Sequence, residues 1–421
     1  MAQNMGGGNN SPVPVQVLQG QPGSVPASSL FGLPGITQWS EQRENLDGTV
    51  TTLAQGSQVD AIFASNFKQT DVVMQWQMEV TIAQTYTAGG GAFTLSPIYP
   101  FSFLGPFGLN FQNQFDTINA NNGWDAALLQ ITRPAKWGVL QQVMDQNPAV
   151  NAYSTQTNQS TATNYTSAST SVKFTMDLMP GILFNMYYDL EEDGRLYSHK
   201  ATPIKAWVSP QLMSGTNRIV TPRVRYNQGF STSADTAPVT AAGGAPTFSG
   251  TSTLGFRRKA VYQPAGPNDT PPVFNWQYSR DFRRFSLAGV SSIDIPIPQI
   301  GQILTLLLRC WDPTLNSNVG GPIPIANFKE IDLIYGSGLF KYQDTAQRMQ
   351  DRYLRQHNIL LPDGVVGWDM AITDDGLITN AMALNTLTTS GCIVHIDFTG
   401  TQSATAYCIM NIEALRYVSV S

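Results

Sequence analysis

Three histidines, His199, His357 and His395, are the whole imidazole complement of this 421-residue chain, so proton transfer near neutral pH has few places to reside. His395 stands two residues before Asp397, and on a strand that spacing puts both side chains on one face. A carboxylate there could orient the imidazole for base catalysis, or the two could share a metal ion. No Gly-x-Ser-x-Gly, His-Glu-x-x-His or Cys-x-x-Cys spacing accompanies them, and an ordinary sheet surface is the expectation. Asp189, Glu191, Glu192 and Asp193 crowd carboxylates as a calcium loop does, yet "DLEEDG" lacks the alternating spacing of an EF-hand and reads as a solvated turn. A sandwich glycosidase would need two carboxylates about 5 to 9 Å apart across a cleft, and Asp116, Asp125 and Asp369 cannot be ranked for that role. Three cysteines cannot build a disulfide scaffold. Cys392 and Cys408 would face one core from paired strands, but a turn near residue 401 offsets their sulfurs, so free thiols are expected. No catalytic, cofactor-binding or metal-ligating residue is assigned, and no cofactor is implied.

The elements that would carry these residues follow from composition and periodicity. Charged residues are only 13% of the chain, with 42% hydrophobic, 36 Gly and 26 Pro, a balance that favours β-structure with long loops. The net charge is −5 and no run of Lys or Arg appears, which argues against packing on nucleic acid and against sequence-specific binding to it. The first forty residues hold no Asp, Glu, Lys or Arg, so the positive region of a signal peptide is missing. The densest apolar stretch, "ILTLLL" at 303–308, is too short to span a bilayer, and a soluble chain is expected.

Strong period-two alternation marks strands at 72–82, 172–178, 392–398 and 406–412, the last two joined by "TGTQSA" as a hairpin with one buried face. Shorter strands are expected at 126–131, 204–208, 218–226, 257–262, 303–311, 331–335 and 365–371. One helix is convincing, 344 to about 358, capped by Asp344 or Thr345 with Ala346, Met349 and Tyr353 on one face. A weaker helix is expected at 181–189. Low-complexity segments 149–170 and 229–255 read as exposed loops. Residues 1–44 read as an extended arm, 45–265 as a first β domain, 266–274 as a Pro-rich hinge and 275–421 as a second β domain.

The order of these pieces resembles the double jelly-roll major capsid proteins of the tectivirus and adenovirus-hexon lineage. The resemblance rests on "VVMQWQMEVTI" followed by "GPFGLNFQNQFDTINANNGWDAALLQ", and on "FSLAGVSSIDIPIPQIGQILTLLLRCWDPTLNS", one amphipathic helix, "LPDGVVGWDM" and the late strand pair. It covers most of the chain from about residue 45. It implies an all-β fold of two tandem eight-stranded jelly rolls with one or two short helices, and a structural role without enzyme activity. It further implies a homotrimer forming a pseudo-hexagonal capsomer, and a capsomer lattice closed as the icosahedral shell of a tailless virus such as a bacteriophage. The implied partners are the chain itself, vertex or minor capsid proteins, and an internal membrane met by the arm; the implied places are the virion and, during assembly, the host cytoplasm.

Within that frame Arg257, Arg258, Lys259, Arg280, Arg283 and Arg284 form the most basic neighbourhood, suited to acidic residues of an adjacent subunit or, less well, to nucleic acid or lipid headgroups. Arg348, Arg352 and Arg355 would be the solvent or interface face of the helix. An alternative is a jelly-roll receptor- or carbohydrate-binding spike, with Trp207 or Trp276 stacking on sugars. The sequons at Asn9, Asn158, Asn164 and Asn268 are no more than this composition produces by chance.

Overall fold

The computed structural model describes residues 36–40, 51–52, 58–60, 72–87, 93–95, 98, 101–111, 118–132, 141–144, 164–165, 167–177, 220–226, 239–241, 247–264, 276–315, 320–336, 338, 340–370 and 384–417. The helix at 181–189, the strand at 204–208, the acidic run at 189–193, Trp207, Asp116 and the hinge at 266–274 lie outside them.

In the first half the principal strands are β1 (Val72–Thr87), β2 (Leu104–Phe111), β3 (Ile118–Ala120), β4 (Ser167–Asp177), β5 (Val220–Tyr226) and β6 (Thr247–Pro264). β1 lies between β4 and β6 in an antiparallel sheet, with Val80 opposite both Phe174 and Leu254 and Met78 opposite Met176. All five side chains are buried, as the period-two pattern requires of a half-buried strand. The expected loops are partly strand. β6 takes in 247–255 of the Gly/Ser/Thr stretch, and β4 takes in 167–170. A β ladder is made by backbone atoms, which Ser, Thr and Gly supply as any residue does, so composition misleads there. Ile36–Ser40, at the end of the expected arm, is extended and pairs with residues 261–264 of β6.

A larger correction concerns 126–131, expected as a strand. Gly123–Thr132 is a helix, α1. Asn122 accepts from the Asp125 amide at 2.9 Å, an N-cap bond, and "DAALLQ" consists mostly of good helix formers. Every residue of α1 is buried, so no polar face reveals a helical period. Gly123 belongs to the packing. A Cβ at that position would lie 2.3 Å from the Phe101 carbonyl oxygen and 2.8 Å from the Leu104 Cβ.

Among the described residues the second half forms a jelly roll of eight principal strands, β7 (Trp276–Ser286), β8 (Ser292–Pro296), β9 (Gln302–Asp312), β10 (Phe328–Tyr335), β11 (Phe340–Asp344), β12 (Val365–Asp369), β13 (Ile393–Phe398) and β14 (Tyr407–Tyr417), with Gly321–Pro322 and Leu384–Asn385 as two short additions along β9. One sheet runs β7-β14-β9-β12 and the other β8-β13-β10-β11, the paired-sheet layout of two Greek keys. The late strand pair is therefore no hairpin. β13 pairs with β8 and β10, and β14 with β7 and β9, so residues 399–406 carry the chain from one sheet to the other. Both strands bury one face in the same core, and alternation alone cannot distinguish partners from opposites. Helix α2 (Ala346–His357) forms as expected, with Thr345 accepting from the Arg348 amide and Asn358 closing it in the left-handed region.

β9 is buried along nearly its whole length because both faces are covered. Leu306, Leu308 and Cys310 stand opposite Ile412, Met410 and Cys408 and face the sandwich core; Thr305, Leu307 and Arg309 stand opposite Glu413, Asn411 and Ile409 on the other face. That second face joins the halves, since β7 also pairs in parallel with β3 through Arg280 and Ile118, fusing one sheet of each half into a ten-stranded sheet.

Gly367 makes a backbone demand that can be checked. Its φ is +146° and a Cβ would lie 2.1 Å from the Leu306 carbonyl oxygen. Gly367→Ala is expected to destabilise the protein by more than about 2 kcal/mol in denaturant unfolding; a midpoint equal to wild type contradicts this packing.

Candidate functional site

Asp125 sits in the first turn of α1 and is fully buried. The Arg309 guanidinium grips it with two bonds, Nε to Oδ1 at 2.7 Å and Nη2 to Oδ2 at 2.8 Å, the fork geometry that makes arginine–carboxylate pairs strong. Asn411 adds Nδ2 to Oδ1 at 3.1 Å. Arg280, also buried, donates through Nη1 to the Ala126 carbonyl at 3.1 Å and through Nη2 to the Asp125 carbonyl. Three strands of the second half thus converge on one turn of a first-half helix. Glu413, directly across from Arg280, brings a second carboxylate to this face. Removing one member of such a pair strands a charge away from water.

This arrangement reassigns two sequence candidates. Asp125 lines no cleft, and Arg280 is not available to a phosphate or to a neighbouring subunit, since backbone carbonyls of α1 occupy its guanidinium. Asp369 is also interior. Its Oδ2 lies 3.4 Å from His357 Nε2, and the Thr305 hydroxyl lies 2.6 Å from Glu413 Oε2 and 3.5 Å from Asp369 Oδ1. These groups tie α2 and β12 to β9 and β14. Nothing in the sequence marked Arg309, Asn411 or His357 for these roles, although a lone Arg within "LTLLLRCWD" could have been read as a buried charge in need of a partner.

The other basic candidates separate. Arg283 is exposed, Arg284 lies 3.8 Å over the Tyr407 ring, and Arg257–Lys259 belong to β6. On α2, Arg348 and Arg355 are exposed, while Arg352 bonds Asp344 at 2.7 Å and the Tyr342 hydroxyl.

His395 and Asp397 do share the outer face of their sheet, within a polar patch wider than the sequence pair. His395 Nδ1 lies 2.6 Å from Asp294 Oδ1 on β8 and Nε2 lies 3.3 Å from Asp397 Oδ1. On β10 and β11, Lys341 bridges Glu330 at 3.2 Å and Asp332 at 2.7 Å. Burial alone would lower the His395 pKa, but the Asp294 hydrogen bond and the charges of Asp294, Asp397 and Asp332 together raise it above its usual 6.5. Burial likewise raises Asp332, while the Lys341 bond lowers Glu330. Among the described residues no group of three or more His, Cys, Asp or Glu is arranged to hold a metal ion.

The three cysteines are free thiols and buried. Cys392 and Cys408 are free as expected but do not come from paired strands, because their strands lie in opposite sheets; Cys310 is the residue across from Cys408.

The sequence matches no protein-family model and no curated protein. Solved structures do match. The crystal structure of the STIV MCP, the major capsid protein of Sulfolobus turreted icosahedral virus, superposes with a TM-score of 0.54 at 11% identity, over 88% of this chain and 94% of that one. A chain from the atomic structure of Sulfolobus turreted icosahedral virus gives 0.51 at 9% identity, over 88% of each chain.

Two expectations follow. Asp125→Ala should cost about 3–5 kcal/mol in denaturant unfolding, and adding Arg309→Met should recover part of that loss; equal stabilities for all three proteins contradict the junction. For His395, a raised folded-state pKa means that its pairing stabilises below about pH 6.5 and is lost as pH rises through the raised value. Asp294→Asn should therefore move the NMR titration midpoint of His395 downward, with under about 1 kcal/mol of stability at stake in this half-exposed pair; an unmoved midpoint contradicts it. The chain has the double jelly-roll fold, shared over 88% of its length with the coat protein of an icosahedral virus.

Proposed function

We propose that the protein is the major capsid protein of a tailless icosahedral virus and that its work is assembly. The observation that carries this reading is the coverage: the double jelly-roll match takes in 88% of this chain and 94% of a viral coat protein. Among the described residues, buried Asp125, Arg280, Arg309 and Asn411 join the two halves, and His357 and Asp369 help to pack α2. Such a fold supplies a subunit with two sandwiches held in fixed relation, and a closed lattice needs that fixed relation because small angular errors accumulate across many copies.

In this reading the chain forms homotrimers whose six jelly rolls make a pseudo-hexagonal capsomer. Capsomers pack on one another and on vertex or minor capsid proteins, in the virion after assembly in the host cytoplasm. The division into an arm at 1–44, a first jelly roll at 45–265, a hinge at 266–274 and a second jelly roll at 275–421 belongs to the same proposal, as does contact of the arm, which is free of charged residues over its first forty positions, with an internal membrane. The low charge density supports shell packing, since broad contact between copies is costly where many charges must be desolvated.

Expressed alone, the full chain should elute as a trimer by size-exclusion chromatography with light scattering, and deletion of residues 1–35 should leave that trimer folded while reducing shell assembly. A monomer with measurable affinity for glycans would favour a spike, and glycan turnover would overturn the structural role.

A further inference from the structure

Cys310 on β9 and Cys408 on β14 stand directly opposite each other in an antiparallel ladder. The surrounding hydrogen bonds give the geometry of the pair. The Cys310 amide donates to the Gly364 carbonyl at 2.7 Å, and the Cys310 carbonyl accepts from Ile323 at 3.1 Å, so both backbone groups of Cys310 point away from β14. On the far side of β14, Leu287 donates to the Ala406 carbonyl at 2.9 Å, and Cys408, two residues on, is in register with Phe285; its backbone groups therefore point to β7. The two cysteines form a non-hydrogen-bonded pair, in which Cα atoms approach to about 4.5 Å and side chains share one face. A disulfide needs Cα atoms about 4.4–6.8 Å apart. Both thiols are fully buried in the same core.

We propose that Cys310 and Cys408 are a covalent cross-link site, a pair of thiols that oxidises to a cross-strand disulfide stapling the two central strands of the second jelly roll. The oxidant is a small-molecule disulfide. One protein thiolate attacks it and releases one small thiol; the second protein sulfur attacks the mixed disulfide and releases the other. Two electrons pass from the protein sulfurs to the oxidant, and the two protons leave with the released thiols. The bond closes a loop that contains β10 to β13 and α2. Burial holds the Cys408 thiol protonated, well above its ordinary pKa, so the exchange is slow in the folded subunit and waits on partial opening of the sheet. Cys392, buried at the start of β13 in the other sheet with its Sγ donating to the Thr389 carbonyl at 3.3 Å, stays outside the reaction.

The test incubates full-length protein with oxidised glutathione over a series of denaturant concentrations, all below the unfolding transition. Thiols are then counted after complete denaturation, and the protein is mapped as peptides without reduction. The count should fall from three to one, with Cys310 linked to Cys408 and Cys392 open to alkylation. Three thiols at every concentration, or a linkage through Cys392, overturns the proposal. In a second readout the oxidised wild type should unfold at higher denaturant than the reduced protein; an unchanged midpoint despite a mapped cross-link would show that the bond is no staple. Cys392→Ser should retain the cross-link, and a failure to form it there counts against the assignment.

Discussion

A carboxylate taken out of water must be met by charge and hydrogen bonds on every side, and Asp125 is met in that way by residues that lie far along the chain. Arg309, Asn411 and Arg280 come from three neighbouring strands of the second jelly roll, and Asp125 comes from the first turn of a helix in the first. The pairing works only if β7, β9 and β14 are in register and α1 sits against their outer face. Much of the architecture is implied by that condition. β9 must be buried on both faces, β7 must reach β3, and Gly123 must let α1 approach Phe101 and Leu104. Replacing such a network by apolar groups can be neutral, whereas breaking it is costly. We read it as a device for holding two sandwiches in a single orientation.

The outer face of the other sheet follows a different rule. Asp294, His395, Asp397, Glu330 and Lys341 are partly exposed and bound to one another at distances of 2.6 to 3.3 Å. Pairs of this kind contribute little to stability in water. They do keep a broad sheet face polar, which guards against edge and face aggregation. One sheet face is thus sealed against the neighbouring half while the other is left polar.

Much of this was legible in the residues. Alternation in "VVMQWQMEVTI" and "CIVHIDF" located strands with one buried face, and Thr345 with Pro362 bounded the helix between them. Where the residues misled, the reasons are physical. In α1 every position is buried, so the helical period had no polar contrast to show it. In β6, Ser, Thr and Gly pair through the backbone, and low complexity passed for a loop. Alternation in β13 and β14 reported burial but not which sheet each strand joins, so two opposed strands looked like a hairpin, and Cys310 was missed as the neighbour of Cys408. Arg280 counted as surface charge because its partners are main-chain carbonyls 154 and 155 positions away, which no local pattern reveals. The order of events along the chain carried the fold despite identities of only 11% and 9% to solved chains of the same fold, because the sheet pairing that fixes a jelly roll constrains burial and turns more than residue identity.

The most direct measurement is a side-chain-resolution electron cryo-microscopy reconstruction of purified particles containing this chain. The account predicts a shell built from the chain in capsomers of six sandwiches, with one sheet running unbroken from β2 through β3 into β7, and with Asp125 held between Arg309 and Asn411. A shell from which this chain is absent, or subunits in which the two sandwiches are separated and Asp125 faces solvent, would contradict it.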